Sequence, residues 1–215
     1  GDLSAATGDE PPGRGAPPAR TGEVAGRDGD ATGNAERSAP KAERPGGDAK
    51  RPRAEAEALE MDYSVPTRVV IPRLGVSSTL EDLGLAPDGT MEVPVDPDKA
   101  GWFRPSVPPG VVGASVIAGH VTWDQQPVVF FRLGDLRPGD TIKVRREDGS
   151  TAIFTVRRVA QFPKSSFPTD AVYDQPPRPE LRLITCGGTY DEDENRYLDN
   201  VIVWASLTRT HPAPV

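Results

Sequence analysis

For its first 62 residues the chain carries no hydrophobic period. Leu3, Val24, Leu59 and Met61 are its only large aliphatic residues in a run of Gly, Ala, Pro and charged side chains. From Tyr63 the pattern changes to short apolar runs separated by turn formers, the signature of many short strands. Thr67–Ile71 reads as a first strand, stopped by Pro72. Leu74–Val76 and Leu83–Leu85 flank a polar segment. Pro87-Asp88-Gly89-Thr90 is a turn, and Met91–Val95 is extended. Asp98–Phe103 is expected to make one helical turn and Val128–Leu133 a short helix. Ala114–Gly119 is a continuous run of small or apolar residues, suited to a strand buried on both faces. Thr141–Arg145 and Ala152–Val159 form a hairpin across Glu147-Asp148-Gly149-Ser150. The proline-rich stretch from Gln161 to Pro179 is expected to be a loop with a helical turn. It is followed by the strand Leu181–Cys186, the acidic loop 191–194 and the strand Val201–Ala205. This spacing predicts a mainly β domain, a closed or nearly closed barrel with short helices.

Composition divides the chain at the same place. All 13 aromatic residues lie after position 62, and residues 1–62 hold 9 basic against 13 acidic residues. Such a segment cannot bury enough apolar area to offset its backbone entropy, so residues 1–62 are expected to be a disordered linker. Residues 63–215 suffice for one domain with a real core. The net charge of −7 has no basic patch beneath it, and nucleic-acid binding is not expected. No run of about eighteen apolar residues is present, so the chain as it stands is expected to be soluble.

The chemistry centres on Cys186, the only cysteine. A single cysteine excludes an internal disulfide framework and a cysteine zinc cluster. Strand alternation puts Leu181, Leu183 and Thr185 on one face and Arg182, Ile184 and Cys186 on the other. Gly187 and Gly188 follow and are expected to leave room for a substrate backbone. His120 is the only histidine outside the last five residues, and it ends the other strongly apolar strand. Arg196 precedes the final strand. A thiol that attacks a carbonyl, an imidazole that moves protons and a cation that stabilises charge are sufficient for acyl transfer. Each has a plainer reading beside it: a buried apolar cysteine, a loop histidine, an ion-paired arginine. Ser115 lacks the second glycine of a nucleophile elbow. The acidic loop 191–194 lacks EF-hand spacing, and HExxH, CxxC and P-loop motifs are absent, so no metal and no cofactor is expected.

Ala118-Gly119-His120, Leu183-Ile184-Thr185-Cys186 and Arg196 together resemble the sortases, the bacterial surface cysteine transpeptidases. The hallmark TLxTC is matched at four of five positions, with Arg182 where the first Thr usually stands. Gly187-Gly188 and Arg196-Tyr197-Leu198-Asp199-Asn200 resemble the actinobacterial class F subgroup more than class A or B. The resemblance implies an eight-stranded sortase β-barrel. It implies cleavage of an LPxTG-type sorting signal between Thr and Gly through a thioacyl-enzyme, resolved by an amine such as that of a peptidoglycan precursor. Cys186 would be the nucleophile, His120 the general acid and base, and Arg196 the group holding substrate and oxyanion. Thr185 would help position the substrate or line the oxyanion site. The loop before the catalytic strand would border the groove, with Phe167, Val172 and Tyr173 as its apolar wall. The protein would be extracytoplasmic, reaching the membrane only through an N-terminal anchor outside this chain, and residues 1–62 would span on the order of 40 Å as a spacer. A thiol hydrolase of the same fold and a non-catalytic peptide-binding barrel are the competing expectations.

Overall fold

The structure, a computed structural model, describes residues 59–214. The expected linker lies outside the described residues except for its last four positions, 59–62.

Ten strands follow in chain order: β1 (Pro66–Ile71), β2 (Val76–Leu83), β3 (Ala100–Phe103), β4 (Gly113–Gly119), β5 (Thr122–Trp123), β6 (Gln126–Pro127), β7 (Thr141–Arg146), β8 (Thr151–Pro163), β9 (Pro179–Asp191) and β10 (Arg196–His211). Eight of them close into a barrel in the order β1-β2-β3-β4-β9-β10-β8-β7, and β5 and β6 form a separate small hairpin. The pairs β2–β3 and β4–β9 are parallel and the others antiparallel. The closed eight-stranded barrel is the expected fold class.

Strand alternation sorts the side chains into two apolar layers. Ile117, Leu181, Leu183 and Val203 point into the barrel with Trp102, Phe154 and Ile142. Val116, Ala118, Ile184, Cys186, Ile202 and Trp204 form the outer layer, with Met91, Phe103 and Val172. The second layer makes the β4–β9–β10 face buried on both sides, which is why these strands read as continuous apolar runs. The short helix α1 (Thr169–Tyr173) packs on that outer layer.

Three local expectations are corrected. The run Ala100-Gly101-Trp102-Phe103 is a strand, not a helical turn. It is too short to show a period, and Gly101 lets it lie against Leu83, whose Cγ stands 2.5 Å from where a Cβ would be. The run Val128–Leu133 is a chain of turns leading into a 3₁₀ turn at Leu133–Asp135. Its fully buried residues are Phe130, Leu133 and Leu136, and a spacing of three suits 3₁₀ geometry rather than an α-helix. The catalytic-motif strand does not stop at Cys186 but continues to Asp191.

The segment before β1 is fastened to the barrel. Leu59 and Met61 pack against the inner core. The Met61 N–H donates to the Gly110 carbonyl at 2.9 Å, and the buried Arg146 guanidinium donates to the Asp62 carbonyl.

Candidate active site

The parallel pairing of β4 with β9 aligns Val116 with Arg182 and Ala118 with Ile184. His120 follows β4 directly and Cys186 lies two residues beyond Ile184 on β9, so both come at the same end of this strand pair. Both are sunk in the protein, Cys186 4% and His120 2% exposed. They line one cleft of about 970 Å³ together with Trp123, Tyr190, Arg196 and Tyr197.

The His120 ring is held on two sides. Its Nε2 lies 2.9 Å from the Pro94 carbonyl oxygen. A carbonyl only accepts, so Nε2 carries the proton and the neutral ring keeps its lone pair on Nδ1. Trp123 meets the ring edge-to-face at 5.3 Å. Burial holds the His120 pKa below the ordinary imidazole value, against the pull of the Pro94 carbonyl, so the neutral base is the favoured form. Trp123 comes from the β5–β6 hairpin, whose turn residues Asp124 and Gln125 both have positive φ. That is the twist a two-residue hairpin demands. Thr122 Oγ1 and Tyr197 Oη, 3.1 Å apart, tie this hairpin to β10.

Cys186 stands opposite Asn200 on β10, just before a bulge. There Gly188 and Thr189 face the single residue Leu198. Gly188 has φ +75, and the Asp199 carboxylate occupies the place of its missing Cβ. This matches a bulge that needs glycine. The space above Gly187 is also filled: a Cβ there would stand 2.7 Å from Val201 Cγ2. Gly187 therefore makes room for β10, not for a substrate backbone.

Arg196 reaches the cleft, where its guanidinium pairs with Glu194 of the acidic turn. Its side chain is 42% exposed, so the pair is screened by solvent and weakly held. Asp191 Oδ1 accepts the N–H groups of Asp193 and Glu194, which shapes the turn, and no cluster suited to a metal occurs among the described residues.

The structure does not bring Thr185 into this cleft. It is buried beside Leu183 on the face away from Cys186, and its hydroxyl has no hydrogen-bond partner. Tyr173 lines a second, smaller hollow of about 280 Å³ with Met91, Phe103, Ala114 and Val116. Val172 is fully buried, and Phe167 packs against Tyr173 at 6.3 Å between ring centroids. Burial pushes the Tyr173 phenol pKa up. Pro94 gave no sequence signal, because the atom it contributes is a backbone oxygen. Trp123 could have been noticed as an aromatic three residues after His120.

Residues 69–208 match the family model of the sortase domain. The chain belongs to the sortase family. Solved sortases share the fold at low identity. Sortase A of Listeria monocytogenes is 18% identical with a TM-score of 0.53, over 71% of this chain and 92% of that one. The sortase A lid mutant of Corynebacterium diphtheriae is 18% identical with a TM-score of 0.53, over 73% and 76%. SrtA of Actinomyces oris is 21% identical with a TM-score of 0.51, over 71% and 84%. A search of the curated proteins gives no match. Sortases are cysteine transpeptidases, and in this sortase one cleft brings together a thiol, an imidazole and a guanidinium.

Proposed function

We propose that this sortase cleaves an LPxTG-like sorting signal between Thr and Gly and transfers the acyl part to a cell-wall amine. The observation that supports the reading is that His120 and Cys186, at the same end of the paired strands β4 and β9, line one cleft. Nδ1 of His120 takes the thiol proton, and the thiolate attacks the threonine carbonyl. The C–N bond then breaks with that proton delivered to the departing glycine amine, leaving a thioester on Cys186. An incoming amine attacks the thioester, gives its proton to Nδ1 and releases the thiol, so atoms and charge balance over the cycle. Arg196 exchanges the weakly held Glu194 for the carbonyl oxygen as charge develops there.

Strand geometry supports the length of the signal. The outward positions of β4 run from Ala114 and Val116 in the apolar hollow to His120 in the cleft. The four residue steps from Val116 to His120 span roughly 13 Å, about the reach of an extended tetrapeptide. A leucine in the hollow beside Tyr173 thus leaves the threonine carbonyl at Cys186. Phe167 and Val172 back that wall, and Gly187 lets β9 lie close against Val201 of β10.

Arg196-Tyr197-Leu198-Asp199-Asn200 supports placement near class F. No helix among the described residues is long and apolar enough to cross a membrane. The extracytoplasmic location and the N-terminal anchor follow from the family reading alone.

The test is intact-protein mass spectrometry of wild type and Cys186→Ala with an LPxTG peptide, with and without an added amine. A peptide adduct on wild type alone, released by the amine as a ligated product, is the expected result. Release as free acid whether or not amine is present indicates a thiol hydrolase. Peptide binding without any adduct indicates a binding barrel.

A further inference from the structure

His120 takes its orientation from the Pro94 carbonyl, which raises the question of what holds that carbonyl. It belongs to the loop between β2 and β3. Pro94 and Pro97 have no N–H groups, and the Val95 side chain is 87% exposed and packs on nothing that would fix it. The donors available there are the N–H groups of Val95 and Asp96, and both go to one side chain. Glu81 of β2 accepts from Val95 through Oε2 at 2.8 Å and from Asp96 through Oε1 at 3.3 Å. The Val95 N–H and the Pro94 C=O are the two ends of a single planar peptide group. A continuous line therefore runs from the Glu81 carboxylate to the Val95 N–H, through that peptide to the Pro94 oxygen, and on to His120 Nε2.

We propose that Glu81 is the positioning carboxylate of this active site, acting on His120 through the Pro94–Val95 peptide. This rests on the reading of His120 as the proton carrier. A carboxylate accepting at one end of an amide polarises it and strengthens the acceptor at the other end. The arrangement fixes both the ring plane and the tautomer, as a directly bonded acid does in a catalytic triad, with one peptide group interposed. The carboxylate is itself held. Lys99 Nζ lies 3.0 Å from Asp96 Oδ2 and 3.9 Å from Glu81 Oε1. Because Glu81 lines neither the cleft nor the apolar hollow, its loss should spare peptide binding and act on turnover.

The experiment uses the whole chain and three proteins: wild type, Glu81→Ala and Glu81→Gln. Long-range proton–nitrogen NMR of the imidazoles reports the tautomer. The chain has only two histidines, and a His120→Gln sample assigns the signal. Wild type should show His120 as the Nε2–H form. Glu81→Ala should show a mixture of tautomers, and kcat should fall about 10–100-fold at unchanged KM. Glu81→Gln keeps an acceptor for the Val95 N–H and should retain the tautomer and recover most of kcat. The proposal is overturned if Glu81→Ala leaves the His120 tautomer as in wild type, or if Glu81→Gln is as damaged as Glu81→Ala. The NMR arm needs no turnover, so it decides this proposal even if the LPxTG reading fails.

Discussion

Arg182 stands where the family motif usually has Thr, and the structure gives it a task that can be measured. Arg182 and Trp204 are directly opposed on β9 and β10, and both donate to the Ala171 carbonyl of α1, Nε of Arg182 at 3.4 Å and Nε1 of Trp204 at 3.1 Å. Arg182 also pairs with Glu180 at 2.8 Å, the two side chains being 6% and 21% exposed. Trp204→Phe removes one neutral hydrogen bond of ordinary length, a loss of about 1 kcal/mol. Arg182→Ala removes a long, weak bond to the same carbonyl, a largely buried charged hydrogen bond and the packing of the aliphatic stem. We set that loss at about 3 kcal/mol, discounted for the exposed side of Glu180. Urea unfolding of both variants and of the double variant checks these figures. The double variant should fall short of additivity or exceed it by at least about 0.5 kcal/mol, because the two donors share an acceptor. With α1 loosened, Tyr173 no longer fixes the wall of the apolar hollow. Peptide KM should then rise in Arg182→Ala while kcat changes little. The reasoning is refuted if Arg182→Ala costs less than Trp204→Phe, or if KM is unmoved.

Two further outcomes follow from the site. The pKa of His120 is depressed by burial in the folded state, so the unfolded chain binds the proton more tightly. Stability present above about pH 6.5 should be lost as pH falls through the folded pKa, and thermal unfolding of His120→Gln should lack that part of the acid slope. Gly187→Ala drives a methyl group into Val201 beside the nucleophile and should destabilise by about 1–3 kcal/mol, measured by thermal unfolding. A paired Val201→Ala change should recover part of the loss.

The barrel was legible because most of its strands announce themselves. Ala114–Gly119 and Leu181–Ile184 are apolar apart from Ser115 and Arg182, since α1 and the β2–β3 loop cover their outer face as the barrel covers the inner one. The strand β3 was not legible. Its four residues owe their state to a parallel partner 20 positions earlier and to the room Gly101 makes for Leu83, neither of which is a local signal. The same division holds at the site. Cys186 and His120 end or nearly end apolar runs and could be named from sequence. The partner of His120 is a carbonyl, common to every residue, and the carboxylate behind it lies 39 positions away from His120 with no motif around it. Thr185 shows the limit of motif reading: strand alternation alone turns it from the thiol, and the structure keeps it there.

The circular strand order has a mechanical consequence. In a ring of eight, the β7–β1 seam and the β4–β9 seam lie half a circumference apart. The chain enters at β1 through the strap of residues 59–65, fastened by Arg146, Glu147, Asp148 and Gly110. A pull on residues 59–65 is therefore taken up first by β1, by the end of β7 and the turn after it, and by the loop before β4. The hydrogen bond from Met61 to Gly110 passes a share of that pull to the loop before β4.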